Sequence, residues 1–191
     1  MIVPGAWHKP IHFTALTTRL ESAGYTVHPI HLPSIGDSAG NPPSNLGDHT
    51  PDVELIASTI RSAADAGNDI VVVVHSAGGV TGSEGTIGLS RAEREAEGKP
   101  GGVIRMVYMA AFAAPEGVAV YDATNGPTSW QVLDHENGYS FPGDPEYRFY
   151  HDVDPKLAAE AVKELGKHSL KVSKPMGKGF FLGCAARLSD L

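Results

Sequence analysis

The sequence predicts an α/β fold, a mainly parallel sheet with flanking helices and a cap-like insertion. Three observations carry that expectation. Strand-like and helix-like segments alternate from Ile2 to Ala110, which implies βαβ units with right-handed crossovers. The segment Asp69-Ile70-Val71-Val72-Val73-Val74-His75 contains five consecutive β-branched residues, the texture of a strand buried on both faces. That run stops abruptly at Ser76-Ala77-Gly78-Gly79, a small-residue turn of the kind that links a buried strand to a helix. With 191 residues, 41% apolar and 19% charged, the chain suits one domain with a sizeable core.

Taken in order, Ile2-Val3 is a short strand end, and Pro4-Gly5-Ala6-Trp7-His8 is a loop. A helix follows from about Ile11 to Ser22, with Phe13, Leu16 and Leu20 on one face and Gly24 as its stop. Tyr25-Thr26-Val27-His28-Pro29-Ile30 is expected to be a second strand, at an edge because of Pro29. Residues 32–50 are rich in Pro, Ser, Gly, Asp and Asn and should form a long surface loop. Thr50-Pro51-Asp52 opens a helix, with Thr50 as N-cap, Val53, Ile56, Ala57 and Ile60 on its apolar face, and Gly67 beyond its end. The valine strand and its turn come next. The helix from Gly78 is diluted by Gly82, Gly85 and Gly88, which weaken it alone but let it approach the sheet closely. Arg91 to Lys99 mixes charges and reads as a solvated helix face, and Gly102 to Ala110 is a fourth strand.

Beyond Pro115 the texture changes. Residues 118–150 hold seven of the fourteen aromatics, namely Tyr121, Trp130, Tyr139, Phe141, Tyr147, Phe149 and Tyr150, with no regular period. They are either a satellite cluster that packs a loop-rich excursion or the apolar walls of a cap over a site. A helix from Asp154-Pro155 to Leu165 closes the region, and the tail from Gly177 has no periodicity. The resulting division is a core over 1–117, a cap-like region over 118–170 and a divergent tail over 171–191.

A net charge of −7 and a pI near 5.7 argue against nucleic acid or an anionic membrane as the main partner, because both need clustered Lys and Arg. Cys184 is the single cysteine, so neither an internal disulfide nor a multi-cysteine metal site is available. The N-terminus lacks a basic, apolar leader, and no apolar run approaches the roughly 18 residues that span a bilayer. A soluble, cytoplasmic protein is the expectation.

The chemistry concentrates at Val74-His75-Ser76-Ala77-Gly78. It fits Gly-x-Ser-x-Gly except for valine at the first glycine. In that motif a serine sits on a strained strand-to-helix turn and acts as nucleophile; a plain N-cap serine after a strand is the alternative. Donors for a developing oxyanion are available from the backbone N–H of Ala77 and, in the loop after the first strand, of Ala6, where Gly5 permits the turn. Pairs His8/His12 and His28/His31 have metal-compatible spacing, but the first lacks the Glu of His-Glu-x-x-His and the second straddles a proline, so no metal is expected. No Gly-x-Gly-x-x-Gly follows a strand, and no cofactor is expected. Asp152 or Asp154 with His168 would satisfy the order serine, acid, histidine.

Pro4-Gly5-Ala6-Trp7-His8-Lys9-Pro10, Gly24-Tyr25-Thr26-Val27, Leu32-Pro33-Ser34, Val74 to Gly79 and Tyr108-Met109-Ala110-Ala111-Phe112 occur in that order. Together they resemble the small esterase-like branch of the α/β-hydrolase superfamily, which includes plant methylesterases, hydroxynitrile lyases and many fungal members. The resemblance covers roughly residues 1–175. It implies an α/β-hydrolase-like sheet with Ser76 as nucleophile and Ala6 and Ala77 as oxyanion donors. It also implies a small, apolar, ester-like substrate, in secondary metabolism. In that family the sheet continues with two further strands that carry the catalytic acid and histidine. No acid loop or Gly-His segment follows Pro175 here, so the resemblance implies a sheet lacking its last strands and a chain truncated at its C-terminus. It leaves two functions open: a serine hydrolase, or an impaired relative that binds a ligand or partner. A hydroxynitrile-type lyase would need the same triad. An incomplete sheet should expose an unpaired edge and favour self-association.

Overall fold

The computed structural model describes residues 1–36, 46, 48–115, 118 and 120–173. The tail from Gly177, with Cys184, and most of the loop over 32–50 lie outside the described residues.

The first strand, β1 (Ile2–Val3), leads through the Pro4–Lys9 loop into a 3-10 turn, Pro10–Phe13, that continues as α1 (Thr14–Ser22). Phe13 is buried and Leu16 and Leu20 are half-buried, the face their spacing predicts. Next comes α2 (Thr50–Asp65), on which Ile56, Ile60 and Ala64 are buried. Thr50 is not its N-cap. The residue already lies in the helix, and its backbone N–H donates to the Asp48 carboxylate at 2.7 Å. Asp52, 1% exposed, accepts from the Ser34 backbone N–H at 2.8 Å and the Ser34 hydroxyl at 2.5 Å, which fastens the 32–36 segment to α2.

The valine strand is β2 (Asp69–His75), followed by α3 (Gly78–Gly85), α4 (Arg91–Ala96) and β3 (Gly102–Met109). The three strands form one parallel sheet in the order β1-β2-β3, with Ile2 opposite Val73 and Val73 opposite Val107. The glycines of α3 do what their spacing suggests. A Cβ on Gly82 would lie 2.5 Å from Val74 Cγ1, and one on Gly85 2.5 Å from Ile56 Cγ2.

Three expectations are corrected. Tyr25–Ile30 is not a strand: a single parallel bridge joins Pro29 to Ile2, because β1 offers only two residues to pair with. The valine strand is not buried on both faces. Ile70, Val72 and Val74 lie against α2 and α3, whereas Val71 is 37% exposed, and Val107 and Met109, which pair with Val73 and His75, are 40% and 36% exposed. Nor is the charged segment uniformly solvated, since Arg94 is 3% exposed. Its guanidinium meets Asp65 at 2.6 Å and the Pro100 carbonyl at 2.9 Å, so it ties α4 to the end of α2.

Past Pro115 the aperiodic region contains regular structure. It holds a short helix, α5 (Val120–Ala123), a hairpin of β4 (Gln131–Asp134) and β5 (Tyr139–Pro142), α6 (Pro145–Tyr150), α7 (Pro155–Lys163) and β6 (His168–Ser169). The last three strands make a second, antiparallel sheet in the order β4-β5-β6. Asp134 caps the hairpin loop by accepting from the Asn137 N–H at 2.9 Å. Asp154 starts α7 as its sequence suggests, its carboxylate accepting from the N–H groups of Lys156 and Leu157. The second sheet sits on the loop after β1: Trp7 Nε1–H donates to the Ser140 carbonyl at 3.1 Å, and Ile35 bridges His168.

Candidate active site

The three parallel strands end side by side, and each is followed by a residue in the left-handed region. Trp7 follows β1 with φ +65°, Ser76 follows β2 with φ +50°, and Ala110 follows β3 with φ +44°. Each of these conformations costs a non-glycine residue about 1–3 kcal/mol and persists only where its surroundings hold it. Ser76 is held from both sides. Its N–H donates to the Ala110 carbonyl at 3.2 Å, and its own carbonyl accepts from Phe112 at 3.0 Å and Gly79 at 3.1 Å. Crevices beyond the carboxyl ends of parallel strands are where open α/β sheets gather their ligands.

Small residues around Ser76 follow from this crowding. A Cβ on Gly78 would lie 2.3 Å from the Pro4 carbonyl oxygen, and one on Gly5 would lie 2.5 Å from Ser76 Cβ. The loop after β1 is thus brought against the serine, as expected of Gly5-Ala6. Ala77 forms the N-cap of α3. Neither the Ala6 nor the Ala77 N–H donates to another backbone group among the described residues. The half-buried Ser76 therefore has two unspent backbone donors beside it, at a helix N-terminus and at a strained turn.

Histidine rings pack over the same corner. His8 lies 4.9 Å from His12, 5.4 Å from His75 and 5.1 Å from Phe149, centroid to centroid, and His75 lies 5.6 Å from Phe13. Burial pushes His8 down to about 4 and also lowers His75, so both rings are neutral near pH 7. His12 Nδ1 accepts from the Lys9 N–H at 2.9 Å and its Nε2–H donates to the Ala161 carbonyl at 3.0 Å. Among the described residues no cluster of three or more His, Cys, Asp or Glu has the geometry of a metal site.

Trp7, on the same loop, meets three rings of the region beyond Pro115: Trp130 at 5.6 Å, Phe149 at 5.9 Å and His168 at 6.2 Å. Of the seven aromatics there, Trp130, Phe149 and Tyr150 face this loop, Tyr139 is buried in the second sheet, and Tyr147 is 69% exposed. His168, lowered by burial to about 4, lies against Trp7. Asp152 is exposed and Asp154 is spent on capping α7. All nine histidines are among the described residues, and none hydrogen-bonds the Ser76 hydroxyl. The contact that sequence reasoning missed is the 3.1 Å bond from the Tyr150 hydroxyl to His8 Nε2. Its partners are 142 residues apart, and no local pattern announces such a pairing.

Comparison with known proteins agrees with this fold. The profile of the alpha/beta hydrolase family matches residues 1–187. Alpha/beta hydrolase nvfD of Aspergillus novofumigatus is 33% identical over 171 residues, which are 87% of this chain and 66% of that protein. Probable hydrolase R7 of a Phoma species is 23% identical over 88% of this chain and 66% of its own length. The chain thus spans just under two thirds of these curated relatives. Among solved structures, polyneuridine aldehyde esterase superposes with a TM-score of 0.65 at 16% identity, over 92% of this chain and 72% of that one. A variant of tomato methylketone synthase I complexed with beta-ketoheptanoate gives 0.66 at 15% identity, over 90% and 67%.

Proposed function

The chain belongs to the alpha/beta hydrolase family, and on that premise we propose that it attacks an ester or related acyl bond of a small apolar molecule. Ser76 is the nucleophile in this reading, and the N–H groups of Ala6 and Ala77 hold the oxyanion that forms at the attacked carbonyl. The observation that carries it is the left-handed backbone of Ser76 (φ +50°) at the end of β2, with the Gly5–Trp7 loop packed directly against it. Trp130 and Phe149, which face that loop, supply apolar walls for the substrate. In this reading residues 118–170 act as the cap and residues 1–117 as the catalytic core.

Among the described residues no histidine engages the Ser76 hydroxyl, so none of the histidines serves it as an adjacent base. What remains is positioning and oxyanion stabilisation, a residual worth about 10³–10⁴ over water where triads have been dismantled. Slow, single-event acylation is therefore expected rather than rapid turnover. A fluorophosphonate probe should label the wild-type chain at Ser76 and leave Ser76→Ala unlabelled. Equal labelling of the two would sink the nucleophile assignment.

A second reading is favoured by a specific feature of the sheet. Among the described residues no strand pairs with the outer edge of β3, although Ser90 makes a single bridge to Val103 near its start. An open edge beside half-exposed apolar side chains fits a family member that associates with a partner, a second copy of this chain being the simplest.

A further inference from the structure

The loop after β1 and the segment beyond Pro115 meet through the side chain of His8. It is 7% exposed, and both of its ring nitrogens are engaged. Its backbone N–H donates to the Gly5 carbonyl at 3.2 Å. Its ring Nδ1 lies 2.9 Å from the Ala6 carbonyl, which can only accept, so Nδ1 carries the proton. Nε2 is then the bare nitrogen, and the Tyr150 hydroxyl donates to it at 3.1 Å. The ring is held in the neutral form that this tautomer needs, burial having pushed it down to about 4. Its ring neighbours are the His12, His75 and Phe149 side chains.

These bonds fix two successive peptide planes. In a trans peptide the C=O and N–H point in opposite directions. Turning the Gly5 carbonyl towards the His8 N–H therefore turns the Ala6 N–H the other way. Holding the Ala6 carbonyl with Nδ1–H fixes the next plane, just before Trp7 with its φ of +65°. Tyr150 is the last residue of α6, so the hold on the loop begins in the region beyond Pro115.

We propose that Tyr150 and His8 are a positioning pair that aims the Ala6 N–H as an oxyanion donor, so that seating of the cap-like segment sets the competence of the oxyanion site. The inference rests on the reading of Ser76 and Ala6 given above. Neither side chain of the pair need touch the substrate; both act through the Gly5–Trp7 backbone.

Three substitutions separate the bonds. Tyr150→Phe removes the hydroxyl, and His8→Phe removes both ring bonds. His8→Asn keeps an N–H donor near the Nδ1 position for the Ala6 carbonyl. With unfolding midpoints near that of the wild type, the rate of fluorophosphonate labelling at Ser76 should fall about tenfold in Tyr150→Phe. It should fall on the order of 10²-fold in His8→Phe, the loss typical of one oxyanion donor, and His8→Asn should recover most of it. Wild-type labelling rates in Tyr150→Phe and in His8→Phe would overturn the proposal. Should His8→Phe fail to fold, Tyr150→Phe decides alone. A readout independent of Ser76 comes from nitrogen-15 NMR of the His8 ring and the Ala6 and Trp7 amides. A protonated Nδ1, with both amides shifted in Tyr150→Phe, supports the pair. A protonated Nε2, or amides unmoved by Tyr150→Phe, overturns it. If the wild type labels no faster than Ser76→Ala, the nucleophile assignment fails by itself, and the NMR result still decides whether the pair holds the loop.

Discussion

Val74 stands where the serine-turn pattern has its first glycine, and the structure shows how the larger side chain is received. The residue is fully buried, and the space for its Cγ1 is provided by Gly82 one turn into α3, where any Cβ would approach to 2.5 Å. The glycine missing before the turn is in effect moved into the helix behind it. Gly82→Ala should therefore destabilise the chain by about 1–3 kcal/mol, since overpacking outweighs the gain in helix propensity. Val74→Ala alone should also cost stability through a cavity. The double variant should be less destabilised than the sum, and additive denaturation energies would show that the two positions do not compensate. His8 supports a second prediction at this scale. Its folded-state value near 4 lies below the 6.5 of an exposed histidine, so on acidification the unfolded chain takes up this proton first. The contribution is intact above pH 6.5, is lost as the pH falls towards 4, and is constant below. Full development is worth on the order of 3 kcal/mol. Burial lowers His75 and His168 as well and adds in the same direction, whereas His49, despite its burial, is raised by its bond to Glu84 and opposes it. Comparing urea unfolding of wild type and His8→Phe at pH 7 and 4.5 isolates the His8 part. An equal loss of stability in both proteins would contradict it.

At the scale of elements, what could be read from the sequence was whatever depends on neighbours in the chain. The β-branched run of β2, the Pro51 opening of α2 and the Asp154-Pro155 start of α7 are local signals, and each lies where its residues place it. The Ser76 turn is local too, because its strain and its small flanks fall within a few residues. Elements that depend on a distant partner were not legible. Tyr25–Ile30 has strand composition, yet the two residues of β1 give it only one bridge. The β4–β5 hairpin has four-residue strands with no clean alternation, and the free edge of β5 is paired by His168-Ser169, about thirty positions further on in sequence. Arg94 looked solvated because its neighbours alternate in sign, but its guanidinium reaches back to Asp65 on α2. The candidate site divides the same way. Ser76, Ala77 and Ala6 come from motif reasoning, and the Trp7 and His8 contacts with Trp130, Phe149 and Tyr150 come only from the tertiary fold.

For the whole molecule, the uneven burial of the parallel sheet has consequences for association. Helices α2 and α3 cover the face of Val72 and Val74, while on the other face the Phe13 ring packs against His75 at the end of β2. Among the described residues this leaves Val71 on β2 and Val107 and Met109 on β3 between 36% and 40% exposed, beside an edge that no strand pairs. Apolar side chains in contact with unpaired N–H and C=O groups form the surface that soluble proteins usually blunt with Lys or Pro. The charge of −7 opposes close approach of two copies, but its repulsion is screened over about 8 Å at physiological salt, whereas edge pairing acts at contact. Association should therefore strengthen with salt, the reverse of a charge-driven interface. Sedimentation velocity on the 191-residue chain should show a concentration-dependent oligomer that grows from low to moderate salt. Val107→Lys, which sets a charge on the open face of the edge strand, should shift the population towards monomer without lowering the unfolding midpoint by more than about 1 kcal/mol equivalent. A wild type that stays monomeric at every concentration and salt would remove the partner-binding reading. The serine chemistry would then be the function that this arrangement of strand ends has left to explain.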